Sequence, residues 1–284
     1  MADSQIRILV FSDLDGTLLN HHDYSYRDAV PALERLRTLR IPLILVSSKT
    51  FAEIETLHSQ LALDTPFVCE NGSIVAAPVA CEKLLAGLNG RLTKQAGSVL
   101  CYLGGSRDHI LDILRSLHKH FRFRGFSQMT DVEIADCTGL DTARAVLANR
   151  RMATEPIVWQ DDIDKLDVFV REVEVLGLRV VKGGRFYHIM GRVDKADAVT
   201  ALTRAYAGLY CSGINSIVLG DSENDRAMLQ AATIAVVIPG PDGSHMQLEH
   251  NSIFHAPAPG AAGWAYAVNS ILDRQNDLTQ VGYE

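Results

Sequence analysis

The 284-residue chain has no block of lysine and arginine, only two tryptophans, and five cysteines, none in a C-x-x-C pair. The cysteines Cys69, Cys81, Cys101, Cys137 and Cys211 are odd in number, so neither a disulfide framework nor a zinc site of the usual spacing is indicated. They read as buried free thiols of a reducing compartment. With 27 basic against 34 acidic residues and a net charge of -7, no nucleic-acid partner is expected. An anionic substrate must therefore find local positive charge. The scattered tyrosines and phenylalanines suggest core packing rather than a base-stacking platform. No run approaches the roughly 18 apolar residues of a membrane span, and MADSQIRI lacks the basic-then-apolar pattern of a leader. A soluble, cytoplasmic protein without membrane partners is the expectation.

What the chain does have is an alternation of strand and helix patterns. Ile6–Phe11, Ile41–Val46 and Phe67–Cys69 read as strands. Asp28–Arg40 reads as a helix with Val30, Leu33, Leu36 and Leu39 on one face, followed by a second carrying Phe51, Ile54, Leu57 and Leu61. Thr50 and Glu53 stand at capping-box spacing before the second helix. Such alternation predicts an α/β fold with a doubly wound parallel sheet. Between about Pro78 and Gly191 the units shorten: a strand at Ser98–Leu103, a helix at Arg107–His120, then strands at Ile157–Trp159, Arg179–Lys182 and Phe186–Met190. Gly183-Gly184 suggests a hairpin. The length allows two cores, and an inserted α+β domain over 81–191 within a core made of 1–80 and 192–284 fits best. The core resumes with a helix bearing Val199 and Leu202, strands at Ile214–Leu219 and Ile234–Ile238, and a helix around Trp264–Leu272. The last ten residues are expected to fray, and no internal repeat is present.

The chemistry concentrates at two strand ends. In ILVFSDLDGTLL, Asp13 and Asp15 stand one residue apart, and in an extended segment they project the same way. Such a pair can divide the roles of nucleophile and acid/base when its environment separates the two pKa values. On that segment alone a solvated acidic turn is an equal reading. The second cluster, Asp221, Asn224 and Asp225, follows the run SIVLG. Helix capping and dipole compensation account for one or two of its acids. Two acidic strand ends in a parallel α/β chain suggest a divalent-metal site at the carboxyl edge of one sheet.

These segments resemble the haloacid dehalogenase superfamily, whose four motifs match in order as Asp13-Leu14-Asp15-Gly16-Thr17, Ser47, Lys195, and Gly220-Asp221-Ser222-Glu223-Asn224-Asp225. The long insert between Ser47 and Lys195 is similar to the branch with a large α/β cap of the second type. The resemblance implies a Rossmann-like core and makes Asp13 the nucleophile that forms an aspartyl-phosphate. Asp15 becomes the acid/base, with its backbone carbonyl joining Asp13 and Asp221 around Mg²⁺. Asn224 and Asp225 become ligands through water or supports of ligands. Thr17 and Ser47 would donate to phosphoryl oxygens and Lys195 would offset charge.

Substrate choice is expected from the insert. Lys182-Gly183-Gly184-Arg185-Phe186-Tyr187-His188 suggests a tight turn presenting Arg185 and, further along, His188 on one strand face, with Arg185 able to grip a carboxylate. Ser47-Ser48-Lys49-Thr50, Asp194-Lys195 and Gly-Gly-Arg-Phe-x-His resemble the mannosyl-3-phosphoglycerate phosphatases. This implies hydrolysis of a mannosyl- or glucosyl-3-phosphoglycerate to the glycosylglycerate, a compatible solute. Lys49, Asn71, Arg185 and His188 would then meet glycerate and sugar. Where that family usually has glycine after the Asp-Lys pair, this chain has Ala196-Asp197, with Asp197 a candidate support of the helix start. Sucrose-phosphate or general sugar-phosphate hydrolysis is the nearest alternative, ahead of a phosphomutase or a non-catalytic sugar-phosphate sensor. His21, His22, His109, His118 and His120 are left without a role.

Overall fold

The computed structural model describes residues 7–95, 97–183 and 185–280. In chain order its elements begin β1 (Arg7–Ser12), α1 (Val30–Thr38), β2 (Leu43–Val46), α2 (Phe51–Gln60), β3 (Phe67–Cys69) and β4 (Ile74–Pro78). They continue with α3 (Glu82–Leu85), β5 (Arg91–Gln95), β6 (Ser98–Tyr102), α4 (Arg107–Leu117), β7 (Phe123–Gly125), α5 (Asp131–Thr138) and α6 (Thr142–Asn149). Next come β8 (Thr154–Trp159), α7 (Leu166–Val175), β9 (Leu178–Gly183), β10 (Phe186–Gly191) and α8 (Lys195–Tyr210). The last are β11 (Ile214–Gly220), α9 (Arg226–Gln230), β12 (Ile234–Val237), β13 (Ile253–His255) and α10 (Gly260–Gln280). Two compact units result, one from the stretch up to Val46 with the stretch from Leu202 onward, the other from Ser47–Ala201.

The first unit is a parallel sheet in the order β13-β12-β11-β1-β2, the Rossmann-like arrangement that the alternating pattern predicts. β1 is central, and its Phe11 lies opposite Val218 on one side and Ile44 on the other. Leu9, Val10, Phe11, Ile44, Leu45, Val218 and Leu219 are fully buried, as strands covered on both faces require. The predicted apolar face of α1 needs correction. A 3-10 turn over Arg27–Ala29 precedes the helix, Ala32 and Leu36 are buried, and Leu39 is 45% exposed because it follows the last helical residue and leaves the buried stripe. Helix α10 continues to Gln280, well past the Leu272 that the sequence pattern suggests. The remaining four residues, like Ile6 and Gly184, lie outside the described residues.

The second unit holds two antiparallel arrangements. One runs β3-β4-β6-β5, so Phe67–Cys69 pairs antiparallel with β4. The other is a four-stranded sheet in the order β7-β8-β10-β9, in which β9 and β10 form the predicted hairpin, with Phe186 opposite Gly183. Ile110 and Leu114 of α4 and Phe169 and Val173 of α7 pack with Phe123, Ile157 and Ile189 of this sheet. Phe186 instead packs against Phe126, Ile134 and Ala145. Helices α5 and α6 escape the sequence pattern because Ile134 is the single buried residue of α5, leaving no apolar stripe to read. Thr50 caps α2 as predicted: Thr50 Oγ1 accepts from Glu53 N at 3.3 Å and Glu53 Oε2 accepts from Thr50 N at 2.8 Å.

The five cysteines are free thiols, but only Cys69 and Cys101 are buried; Cys211 is exposed and Cys81 and Cys137 lie between. Among the described residues no helix is long and apolar enough to cross a membrane.

Candidate active site

β1 ends at Ser12, so Asp13 and Asp15 occupy the loop that leaves the central strand, with the fully buried Leu14 between them. Asp13 is itself buried, and its backbone N–H donates to Leu219 O at 3.0 Å, tying it to the neighbouring strand β11. The loop closes on Leu14, whose carbonyl accepts from Thr17 N at 3.2 Å and Leu19 N at 2.8 Å. Gly16 adopts φ +81°, and a Cβ there would stand 2.5 Å from Asp221 Oδ2. The turn thus needs glycine twice, for its left-handed backbone and for its approach to a carboxylate.

At the end of β11, Asp225 is fully buried, and its Oδ2 accepts from the backbone N–H groups of Asp221 and Ser222, both at 3.2 Å. Gly220 allows this close return, because a Cβ there would meet Asp225 Cβ at 2.6 Å. One carboxylate oxygen each from Asp13, Asp221 and Asp225 lies within 4.8 Å of the other two. Three clustered carboxylates repel one another unless a cation sits among them, and their hard oxygens suit a hard divalent cation. Thr17 Oγ1 donates to Asp221 Oδ1 at 3.2 Å, so this hydroxyl orients a member of the trio. Asn224 Oδ1 accepts from Ser222 Oγ at 2.6 Å and stands at the rim of the same turn. A cavity of about 270 Å³ in this unit is lined by Gly16, Asn20, His21, His22, Pro239 and Pro259, among others.

Within the second unit, Ser47 and Lys195 are buried, and Lys195 is the first residue of α8. Ser47 Oγ accepts from Lys49 N at 3.2 Å, and Ser47 O accepts from Asn71 N at 3.0 Å. Asn71 is buried with φ +58°, directly after Glu70 at φ +51°. Gly72 backs onto the start of α8, since a Cβ there would come within 2.0 Å of Asp194 O. Asp194 and Asp197 cap that helix reciprocally: Asp197 N donates to Asp194 Oδ1 at 3.0 Å and Asp194 N to Asp197 Oδ2 at 2.9 Å. Asp197 therefore holds the helix start without the glycine usual in the resembling family. Lys49 Nζ lies 4.0 Å from Glu53 Oε1, a contact along the face of α2.

Arg185 and His188 do not share a strand face. They are three residues apart; His188 falls on β10 with Phe186 and Met190, whereas Arg185 lies in the turn, exposed, with Nη1 donating to Cys137 O at 3.1 Å.

Two groups in this unit have partners that the sequence does not reveal, although Glu70-Asn71-Gly72 resembles the strand-to-turn element of the same branch. Glu70 is fully buried and accepts from Met152 N (2.7 Å), Ala153 N (3.1 Å) and Thr154 Oγ1 (2.6 Å). Arg151 Nη1 donates to Ser48 O at 3.1 Å and Thr154 Oγ1 at 2.9 Å. Glu70→Gln puts an amide N–H₂ against donors that need acceptors, so a loss of about 2–4 kcal/mol is expected on urea unfolding. A loss under about 0.5 kcal/mol, within the range of ordinary surface changes, would mean that the carboxylate does not organise these amides.

The central parallel sheet, the inserted unit and the acidic trio at two adjacent strand ends define the class. A family model for haloacid dehalogenase-like hydrolases matches residues 10–121, and the chain belongs to that family. It is an enzyme of the phosphoric monoester hydrolase type. It is 37% identical to a glucosyl-3-phosphoglycerate/mannosyl-3-phosphoglycerate phosphatase of Persephonella marina, over 94% of this chain and 97% of that one. A protein of the same description from Methanococcoides burtonii is 34% identical, over 95% and 99% of the respective chains. A phosphatase of the haloalkanoate enzyme superfamily from Bacteroides thetaiotaomicron shares the fold, with TM-score 0.64 at 15% identity over 95% of this chain and 96% of that one.

Proposed function

We propose that this hydrolase releases inorganic phosphate from mannosyl-3-phosphoglycerate or its glucosyl counterpart. The observation that carries the reaction type is the trio Asp13, Asp221 and Asp225 beside Asp15 in one loop cluster. The names of the two relatives support the substrate class. In this reading an ionised Asp13 attacks phosphorus through one oxygen and the phosphorus–oxygen ester bond to glycerate breaks, leaving an aspartyl-phosphate. Asp15 gives its proton to the departing glycerate oxygen, then takes one from the water that attacks the aspartyl-phosphate, so Asp13 is regenerated.

Asp13, Asp221 and Asp225, with the Asp15 backbone carbonyl, would hold Mg²⁺, which when bound offsets negative charge on the phosphoryl oxygens. Ser47 donates a hydrogen bond to the transferring group, Lys195 balances its charge, and Thr17 fixes Asp221 in place. Residues 81–191, Arg185 and His188 among them, select the organic part of the substrate, and Lys49 and Asn71 contribute from outside that stretch.

Assay of phosphate release from a panel of glycosyl-phosphoglycerates and sugar phosphates tests this reading. Efficient hydrolysis of other sugar phosphates, with none of any glycosyl-3-phosphoglycerate, would overturn the substrate assignment. Chelation should reduce release to background, and Mg²⁺ should restore it better than Ca²⁺, whose larger, looser coordination suits a compact carboxylate trio less. Full activity in excess chelator would remove the metal from the mechanism.

A further inference from the structure

Opposed residues of antiparallel strands share a face, so His188 stands beside its partner Pro156, and Met190 beside Thr154, on one side of the sheet β7-β8-β10-β9. The opposite side, carrying Ile157 and Ile189, is filled by α4 and α7. His188 is 7% exposed, and its Nδ1 has no hydrogen-bond partner among the described residues. A Cβ at Gly183 would come within 3.1 Å of His188 Nε2, so the neighbouring strand leaves the ring its space. Thr154 also receives the Arg151 guanidinium, which brings a cation to the same face.

That guanidinium is incompletely satisfied. Its Nη1 meets only neutral oxygens, those of Ser48 and Thr154, and its Nε is buried without a partner. Glu70, the carboxylate of the same network, already accepts three bonds from Met152, Ala153 and Thr154. Among the described residues Arg151 has no carboxylate in ion-pair contact. A buried donor with no acceptor is costly, and a guanidinium without a counter-charge attracts an anion. Burial first, and the Arg151 charge second, push the His188 pKa down to about 3, so the ring is a neutral donor within the field of Arg151.

We infer that Arg151 and His188 form a carboxylate-binding subsite within Ser47–Ala201, in which Arg151 Nε–H and His188 Nδ1–H donate to one carboxylate group. On the phosphatase reading above, on which this identification rests, that group is the carboxylate of the glycerate moiety. The glycerate carboxylate then has a counterpart within this unit, and Arg185 is released from the task its sequence position suggests.

Two arms test this. In the first, D-glycerate and glycerol are titrated into the whole protein while imidazole ¹H–¹⁵N signals are followed, with those of His188 identified through His188→Gln. Glycerate should move the His188 signals and glycerol should not, and Arg151→Gln should weaken the response about tenfold or more. Equal responses to both compounds, or an unaltered response in Arg151→Gln, would overturn the subsite. The glycerate–glycerol contrast in unsubstituted protein decides the matter even where the variant fails to fold.

In the second arm, glycosyl-3-phosphoglycerate is compared with the same ester whose carboxylate is reduced to an alcohol. Arg151→Gln should lower kcat/KM for the first about 100-fold, mainly through KM, and leave the second within about threefold. Equal losses on both would assign Arg151 a purely structural role. Where glycerate still moves His188 but no glycosyl-phosphoglycerate is hydrolysed, the subsite stands and the substrate assignment falls.

Discussion

Asp13→Asn is expected to lower phosphate release by about 10⁴-fold or more, measured at saturating Mg²⁺ with the fold checked by circular dichroism. The change keeps the size of the side chain and the Asp13 N–H to Leu219 O bond, so the loop should hold its course. An amide oxygen is a poor nucleophile, and in this reading Asp15, the other carboxylate of the loop, is the acid/base. The same substitution removes one of three mutually repelling charges. In chelator, Asp13→Asn should therefore melt no lower than the parent protein, and somewhat higher if the trio is strained without its cation. A residual rate above about 1% of the parent would reject Asp13 as nucleophile, because loss of a covalent catalyst leaves far less.

Gly16→Ala is expected to reduce activity about 100-fold without touching any reacting group, by analogy with other small displacements of a catalytic constellation. At φ +81° a methyl group strains the backbone by about 1–2 kcal/mol. Its 2.5 Å approach to Asp221 Oδ2 forces either the carboxylate or the loop carrying Asp13 and Asp15 to move. Since Thr17 Oγ1 holds Asp221 from the adjacent position, the displacement should weaken metal affinity as well. The diagnostic result is a higher Mg²⁺ concentration for half-maximal rate together with a lower plateau. A normal Mg²⁺ dependence and rate would show that the turn absorbs the methyl group and that Asp221 is not positioned by it.

The parts legible in sequence were those encoded over short stretches. β1, β2 and β11 carry the apolar runs ILVF, LILV and IVL, each followed by a small residue, serine or glycine, and parallel strands covered on both faces leave just that trace. The Thr50–Glu53 box is a four-residue pattern that its hydrogen bonds repeat in space. Asp13, Asp221 and Asp225 each end or follow such a run, so their convergence could be anticipated from the topology of a parallel sheet.

Other features depend on partners distant in the chain. The partners of Glu70 and Arg151, namely Met152, Ala153, Thr154 and Ser48, leave no local pattern in the chain. Leu39 has the right spacing for a buried position but lies one residue beyond the end of α1. The shared face assigned to Arg185 and His188 failed for a simpler reason: they stand three positions apart, and the strand starts only at Phe186. Helices α5 and α6 bury too few side chains to leave a periodic signal.

The indole of Trp264 is fully buried, and its Nε1 donates to Ser12 Oγ at 2.9 Å, which in turn donates to the Asp13 carbonyl at 2.6 Å. Asn20 Oδ1 meanwhile accepts from Ala261 N at the start of the same helix, at 3.2 Å. Both ties join the Asp13 loop to a segment far along the chain, since Ser12 and Trp264 stand 252 positions apart. During synthesis, then, a nascent chain still short of residue 264 carries Asp13 on a loop that lacks this brace. The course of the Asp13 loop is thus settled only when α10 has packed, however early β1 leaves the ribosome.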